Sequence, residues 1–397
     1  MQTRQLLSLL LLSVTIVGCK ATKTIDIDNT ILVSAKPFEI QAVETRDEVF
    51  KLNEDIQQQL GMYFKADTVG LKQAKQLLRF LVESGDQSMS YQSGANLTAN
   101  QTYRNMNANC LSLSILAHAI SRHLGLHTQF QRVHIPEYWD QSRGYSLLTG
   151  HVNVRVSEVD KVNNDVKTFY VKPASVTIDF DPNSRGRDFA TTAISADTIL
   201  AMFYSNKGAM AMINDQLDLA YSYYNAAIKV DPYHDGAWGN LGILYRISGQ
   251  FKLAERAYNQ ALEINDDNLN VMSNLAKLYS ITQRTAEAQE LEHRIHLARK
   301  SNPYYMLVLG DEAFKKGNMK QAKRYYTQAK VLDKHLHGSY FGLAKVAYVA
   351  GDLDQAEHLL TRAHQMALFS HDKRVYEGKL AVLRGVAQHL VEPSASY

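Results

Sequence analysis

The sequence predicts two structural parts, an α+β domain in residues 37–198 and an all-α solenoid of repeated helix pairs in residues 199–371. In the first part, segments with apolar residues at helical spacing are followed by segments in which apolar and polar residues alternate. In the second part, small residues recur every 34 positions. A chain of 397 residues is long enough for two or three such domains.

The first 18 residues have the features of a secretory signal peptide. Arg4 precedes an apolar run over residues 6–17 that is too short to span a bilayer comfortably. The run ends in IVGC, which resembles the lipobox of bacterial lipoproteins. That resemblance implies cleavage before Cys19, acylation of Cys19 as a membrane anchor, and, with Lys at position 20, a location at the outer membrane facing the periplasm. The alternative is a plain cleaved signal with an incidental cysteine.

The net charge and the absence of two motifs argue against a nucleic-acid partner and a bound cofactor. The formal net charge is only +3, so nothing predicts the concentrated basic patch that a nucleic-acid partner requires. The polar, patternless residues 19–36 predict a tether. A Gly-rich phosphate loop and a GxSxG motif are both absent from the sequence, and we expect no cofactor.

Within the α+β part, the apolar spacing predicts helices and the alternation predicts strands. The predicted helices cover residues 46–64, 69–86 and 110–126, and the predicted strands cover 127–133, 150–156 and 168–180. Residues 87–106 have a loop-like composition.

The repeats form five units between about residues 201 and 370. One position in each unit is always alanine: Ala220, Ala254, Ala288, Ala322 and Ala356. The second unit, with Trp238, Leu241, Gly242, Tyr245, Ala254, Tyr258 and Ala261, resembles the tetratricopeptide repeat. The resemblance implies helix–turn–helix units with glycine at the turn. The third unit has Gln283 at that turn and Glu292 in place of an aromatic residue, so we expect a looser joint there. Residues 372–397 are expected to form a capping helix and tail.

Cys110 opens the apolar helix predicted at residues 110–126. Asn107 or Asn109 can cap that helix. A thiol in the first turn is stabilised as thiolate by the helix dipole and the free N–H groups, which is how a cysteine nucleophile is prepared. The alternative is an inert core thiol.

A thiolate nucleophile requires a base and a group that orients the base. In the strand at 150–156, His151 lies on the face opposite the three valines, and in the strand at 168–180, Asp179 also lies opposite the apolar residues. Antiparallel pairing of these strands would place an acid beside His151. Asp181 has the same strand parity and precedes Pro182, so it is the alternative acid. His151 as a structural histidine and either aspartate as a turn residue are the simpler interpretations.

The order NCLSLSILAHAISRHLGLHTQFQRV, PEYW, GHVNV and TIDF resembles transglutaminase-like domains of papain-type cysteine enzymes, more narrowly those fused to tetratricopeptide repeats. This resemblance covers residues 98–182. It implies a papain-like α+β fold in which Cys110 is the nucleophile, His151 the base and Asp179 the orienting acid. The implied chemistry is acyl transfer from a protein or peptide amide.

The sequence contains residues of two further kinds of candidate site. Five histidines (His118, His123, His127, His134 and His151) crowd the region around the predicted strands, but no HExxH or CxxC motif accompanies them, and no metal site is predicted. By resemblance, the groove of the repeats would present a mixed basic and aromatic set that binds a protein partner: Arg246, Lys277, Tyr304, Phe341, Lys345 and Tyr348. A solvated helix face is the alternative.

Together these features predict a membrane-anchored thiol acyl-transfer enzyme whose repeats recruit a protein partner. The alternative is a catalytically silent envelope scaffold that binds proteins through its repeats. Nothing in the sequence distinguishes hydrolysis from cross-linking.

Overall fold

The computed structural model describes ten ranges of the chain. These are residues 25–33, 38–64, 71–82, 90–91, 94–105, 107–142, 145–157, 175–179, 189–367 and 370–391. None of the helices within these ranges is long and apolar enough to cross a membrane.

The N-terminal part combines short helices with a small sheet. Its helices are α1 (Thr30–Val33), α2 (Arg46–Phe50), α3 (Glu54–Tyr63), α4 (Leu71–Val82), α5 (Ala99–Asn105) and α6 (Cys110–His123). Its strands are β1 (Ser90–Tyr91), β2 (Asn107–Ala108), β3 (His127–Ser142), β4 (Tyr145–Ser157), β5 (Ser175–Ile178) and β6 (Thr191–Ile194).

The main sheet has four antiparallel strands in the order β5-β4-β3-β6. The strand predicted at 127–133 extends to Ser142 and forms a long hairpin with β4. The edge strand β6 was not predicted from the sequence. One side of the sheet packs on α6, whose apolar residues join the valines of β4 in the core.

Two local predictions for the N-terminal part were wrong. The helix expected at 46–64 is divided into α2 and α3, because Asn100 bonds the backbone at the break. Its Nδ2 donates to Lys51 O at 2.9 Å, and its Oδ1 accepts from Asn53 N at 2.8 Å. The segment expected to be a loop at 87–106 contains α5, on which Asn100 lies.

The repeats form five consecutive antiparallel helix pairs. The first helices are α7 (Ala196–Ile213), α9 (Asp235–Ile247), α11 (Leu269–Ile281), α13 (Pro303–Lys315) and α15 (His337–Val349). The second helices are α8 (Leu217–Val230), α10 (Phe251–Ile264), α12 (Thr285–Arg299), α14 (Met319–Leu332) and α16 (Leu353–Met366). The turn of each pair has a residue with positive φ at one equivalent position: Asp215, Gly249, Gln283, Gly317 and Gly351.

Close approach within a pair depends on glycine opposite tyrosine. A Cβ added to Gly242 would lie 2.5 Å from Tyr258 Cε1, and a Cβ added to Gly310 would lie equally close to Tyr326. Both tyrosine rings are fully buried. The ring therefore fills the space that the missing side chain leaves.

The joint after the third unit differs from the others, in agreement with the sequence expectation. Glu292 is exposed where Tyr258 and Tyr326 are buried. The continuous core, which runs from the N-terminal part through the first repeats, ends at Leu278, and separate small clusters follow from Met306 onward. The helices α12 and α13 meet less extensively than neighbouring units elsewhere in the described repeats, with the ring centres of His296 and Tyr305 6.3 Å apart, and β3 also packs against α13.

The described part of the predicted tether is packed on the repeats, which contradicts the expectation of a free linker. Ile31 is buried in the core, and its carbonyl accepts a hydrogen bond from Tyr245 OH at 2.9 Å. Gln260 of α10 binds the same segment twice, through Asp26 O at 3.0 Å and Asp28 N at 2.9 Å. These side chains satisfy the backbone of an otherwise irregular segment, so residues 25–33 form part of the folded body.

A long helix, α17 (Ser370–Val391), follows the last repeat. Tyr376 and Leu380 are buried against the fifth pair, and Tyr376 OH lies 2.7 Å from His337 Nδ1. This helix covers the apolar end of the stack, as a repeat array requires.

Candidate functional site

Cys110 is the first residue of α6. Asn109 caps the helix, since its side chain accepts a hydrogen bond from Ser112 N at 2.9 Å. The thiol is buried and donates to Gly150 O, with Sγ 3.7 Å from the oxygen. Among the described residues, Cys110 is a free cysteine. It therefore lies at the positive end of the helix dipole.

His151 and Asp179 are hydrogen-bonded. The pairing of β4 with β5 places Val154 opposite Ile178, so that Asp179, just after β5, lies on the same face as His151. His151 Nε2 is 2.9 Å and 3.0 Å from the two carboxylate oxygens. The imidazole is buried and the carboxylate is half-buried. Since Asp179 engages Nε2, Nδ1 is the nitrogen that can exchange a proton with a thiol.

The electrostatics of His151 connect the three side chains. Burial lowers its pKa, but hydrogen bonds with Asp179 and Cys110, together with the charges of both groups, outweigh burial and raise the pKa of His151 to about 10. The imidazolium is therefore favoured at neutral pH. A cation beside a helix-start thiol stabilises a thiolate, which is the arrangement that nucleophilic cysteine chemistry uses.

Asn153 is a fourth member of this site. It is buried two residues after His151 on the same face of β4, and its Nδ2 donates to Asp179 Oδ2 at 3.1 Å. The carboxylate is thus held from two sides. Asn153 was not among the predicted site residues, although its strand parity with His151 was an available signal.

The remaining predicted residues are separated from this site or lie outside the described ranges. Asp181 and Cys19 fall outside them. Of the five histidines, His118 and His134 each bond a threonine, at 2.7 Å from Thr128 Oγ1 and Thr192 Oγ1 respectively. The described residues form no group of three side chains that could hold a metal ion.

The predicted groove residues have unequal environments. Lys277 is exposed, and Tyr304 is half-buried at the start of α13. Arg246 Nε donates to Tyr258 OH at 3.4 Å. Lys345 donates to Asp311 Oδ1 at 2.7 Å, and its ammonium lies 5.3 Å from the centre of the ring of Phe341.

One feature of the repeats was missed in the sequence analysis. The last residue of three first helices is an exposed aliphatic side chain, namely Ile247 (40% exposed), Ile281 (47%) and Val349 (54%), and Lys315 holds the equivalent position in the fourth unit. Tyr348, beside Val349, is 51% exposed. The signal was the aliphatic residue just before the turn in the second, third and fifth units, at multiples of 34 residues.

Comparison with known families identifies the repeats. Models of the tetratricopeptide repeat match residues 199–267 and 303–335, on either side of the third unit. A search of curated proteins gives no match.

Several solved structures are similar to this chain at low identity. The APC/C hetero-tetramer Cut9-Hcn1 has 18% identity and a TM-score of 0.30, and the match covers 46% of this chain and 36% of that chain. This chain therefore spans about a third of that relative. YrrB, described as a TPR protein with an unusual peptide-binding site, has 15% identity over 45% of this chain and 92% of its own, with a TM-score of 0.26.

A third structure is pilF of Pseudomonas aeruginosa, with 17% identity over 50% of this chain and 96% of its own, and a TM-score of 0.31. At such scores no function follows from likeness. The family models and the helix pairs together show that the C-terminal part of the chain is a tetratricopeptide solenoid, an architecture that presents an extended surface for protein partners.

Proposed function

We propose that this protein is an interaction scaffold whose repeats bind a protein segment that presents apolar side chains next to acidic ones. The observation that supports this proposal is the row of exposed aliphatic residues at equivalent positions of the repeats. Contiguous apolar patches on a protein surface mark interaction sites, and we take Ile247 and Ile281 of neighbouring units as the centre of such a patch.

Basic residues accompany this row. Lys277 precedes Ile281 by four residues on α11, and Lys345 precedes Val349 by four residues on α15. Side chains four residues apart are neighbours on a helix surface. The Lys277–Ile281 pair therefore offers an apolar contact and an exposed cation, which complements a partner with apolar and acidic residues, whereas Lys345 is paired with Asp311.

A photo-crosslinking amino acid placed at Ile281 tests the surface in cells. We expect a discrete crosslinked species at Ile281, and none at Leu297, an exposed residue on the second helix of the same unit. Purified partner should then bind the wild-type chain and lose affinity for the Ile247→Asn/Ile281→Asn variant. Equal crosslinking at both positions would rule out this face.

A second function, thiol acyl transfer, is favoured by the arrangement of Cys110, His151 and Asp179. In this chemistry the Cys110 thiolate attacks an amide carbonyl, and the amine leaves with a proton from His151. The resulting thioester is resolved by water, which gives hydrolysis, or by a second amine, which gives a cross-link. Asp179 holds the imidazole in orientation throughout.

Alkylation by iodoacetamide separates the enzyme from the silent scaffold. In a chain with Cys19→Ser, Cys110 is the one remaining cysteine. An activated site should be alkylated well below pH 8.5, the ordinary pKa of a thiol, and should lose this reactivity in His151→Ala. A wild-type profile centred near pH 8.5 or above, unaffected by His151→Ala, would leave only the scaffold.

We also propose that Cys19 carries a lipid that anchors the protein at the cell envelope. Ile25 lies only six residues beyond Cys19, and six extended residues span about 21 Å. The repeats would then be held close to the membrane surface, since the described segment after Ile25 is fastened to α10. Metabolic labelling with a fatty-acid probe tests this; label that persists in Cys19→Ser would exclude it.

A further inference from the structure

A bulge in β3 lies directly opposite Gly150, whose carbonyl oxygen accepts the hydrogen bond from the Cys110 thiol. The strands β3 and β4 are paired up to Val133 and His151, and pairing resumes between Tyr138 and Thr149. Residues 134–137 therefore face Gly150 alone across the two strands. Gly150 O accepts the Cys110 hydrogen bond. The bulge is thus adjacent, through a single strand pair, to this carbonyl and to His151.

The repeats hold this bulge by a specific set of bonds. Arg299, the last residue of α12, donates to both carboxylate oxygens of Glu137, at 2.7 Å and 3.1 Å. Asn302 Nδ2 donates to Glu137 O at 2.8 Å, while Asn302 Oδ1 accepts from the N–H groups of Tyr304 and Tyr305 at the start of α13. We call Glu137, Arg299 and Asn302 the clasp.

The clasp fixes the position of Glu137 more than it adds to the stability of the fold. The Arg299 side chain is 7% exposed and that of Glu137 is 26% exposed. Desolvation of a buried ion pair offsets much of its attraction, so such a pair contributes a defined arrangement more than net stability. Two parallel N–H···O bonds fix both the distance and the plane of the carboxylate.

The clasp also lies at the weak joint of the solenoid. The helices α12 and α13 share only a small interface, and the clasp contacts the end of the first and the start of the second. The orientation of the last two repeats is thus connected to the hairpin that carries His151. No local sequence pattern indicates this contact, because Glu137 and Arg299 are 162 positions apart.

We propose that Glu137 and Arg299 are positioning residues for the thiol site: by fixing the bulge of β3, they keep Gly150 and His151 in place around Cys110. This inference rests on the proposed thiol chemistry for its function. It makes the repeats part of the site, since α12 supplies one of the two residues.

The pH profile of Cys110 alkylation tests the proposal in the full chain with Cys19→Ser. We expect Glu137→Gln and Arg299→Gln each to raise the midpoint of the profile by about one pH unit, which is about a ten-fold loss of thiolate below the midpoint. Because the two residues act through each other, the double variant should show no further loss. Arg299→Lys, which retains the charge without the fork, should be intermediate.

Arg384→Gln is the matched control. It removes another Arg–Glu pair, Arg384 with Glu357 at 2.7 Å, far from the sheet, and its profile should equal that of wild type. Circular dichroism shows which variants are folded, and Arg299→Lys and Glu137→Gln serve where Arg299→Gln does not fold. Unchanged profiles in folded clasp variants, or losses that multiply in the double variant, would overturn the proposal.

Hydrogen exchange separates failure of this inference from failure of the thiol function. The amides of Thr149–Val152 should exchange faster in Glu137→Gln than in Arg384→Gln. If His151→Ala leaves alkylation unchanged while these amides respond to Glu137→Gln, the thiol function fails and the positioning role stands. If the amides are insensitive to Glu137→Gln, the positioning role fails whatever the state of the thiol.

Discussion

Gly242→Ala is expected to destabilise the repeats, although alanine is the better helix former. The added Cβ would lie 2.5 Å from Cε1 and 2.6 Å from Cδ1 of Tyr258, a fully buried ring that cannot swing into solvent. Overpacking of a filled core costs about 3 kcal/mol at the upper end of its usual range. Removal of a glycine from a helix interior returns about 1 kcal/mol. The net loss in the free energy of unfolding is therefore about 2 kcal/mol.

Thermal unfolding followed by circular dichroism measures this loss. About 2 kcal/mol lowers the melting temperature of a domain of this size by about 4–8 °C. Gly378→Ala on α17 is the matched control, because nothing lies within 4 Å of its added Cβ, and it should leave the protein as stable or more stable.

The fifth repeat already has a pair of residues that avoids this close contact. Its fifth unit has Ala344 where Gly242 stands in the second, and Leu360 where Tyr258 stands. Gly242→Ala combined with Tyr258→Leu should therefore recover most of the loss. A Gly242→Ala variant as stable as wild type, or a double variant that recovers nothing, would refute the explanation by close packing.

Three other predictions concern single positions. Asp179 helps to raise the pKa of His151 from 6.5 to about 10, so protonation of His151 contributes fully to the free energy of unfolding below pH 6.5, and this contribution is lost as the pH rises towards 10. Asp179→Asn should flatten that part of a pH–stability curve measured by urea unfolding. Tyr245→Phe leaves the buried carbonyl of Ile31 without its donor, and should cost about 1–3 kcal/mol and expose residues 25–33 to limited proteolysis, which unchanged cleavage would contradict. Gln283→Gly removes a side chain from a position with φ of 62° and should raise the melting temperature by stabilising the third turn by about 1 kcal/mol; a lower melting temperature would be inconsistent with strain there.

The candidate site could be predicted to a large extent from local patterns. Side chains alternate along a strand, so His151 and Asp179 were expected on one face, and the pairing of β4 with β5 has them 2.9 Å apart. Residue type and position left Asn107 and Asn109 as alternative caps of α6, and the structure has Asn109. Asn153 had the right parity, but many buried asparagines share that property, so only its bond to Asp179 reveals a role.

The helices and turns of the repeats depend on interactions within 34 residues, such as Gly242 against Tyr258, and a periodic sequence records such short-range packing directly. The packing of residues 25–33 on α10 and the bonds between Glu137 and Arg299 join polar residues more than 150 positions apart. Single polar residues of this kind do not recur periodically in the sequence, and their hydrogen-bond partners are determined only when the folded chain brings distant residues together. The order of the amino acids thus suffices to specify the repeat architecture. How the β3–β4 hairpin and the N-terminal segment attach to the repeats depends on the tertiary structure, because those contacts form by packing between distant parts of the chain.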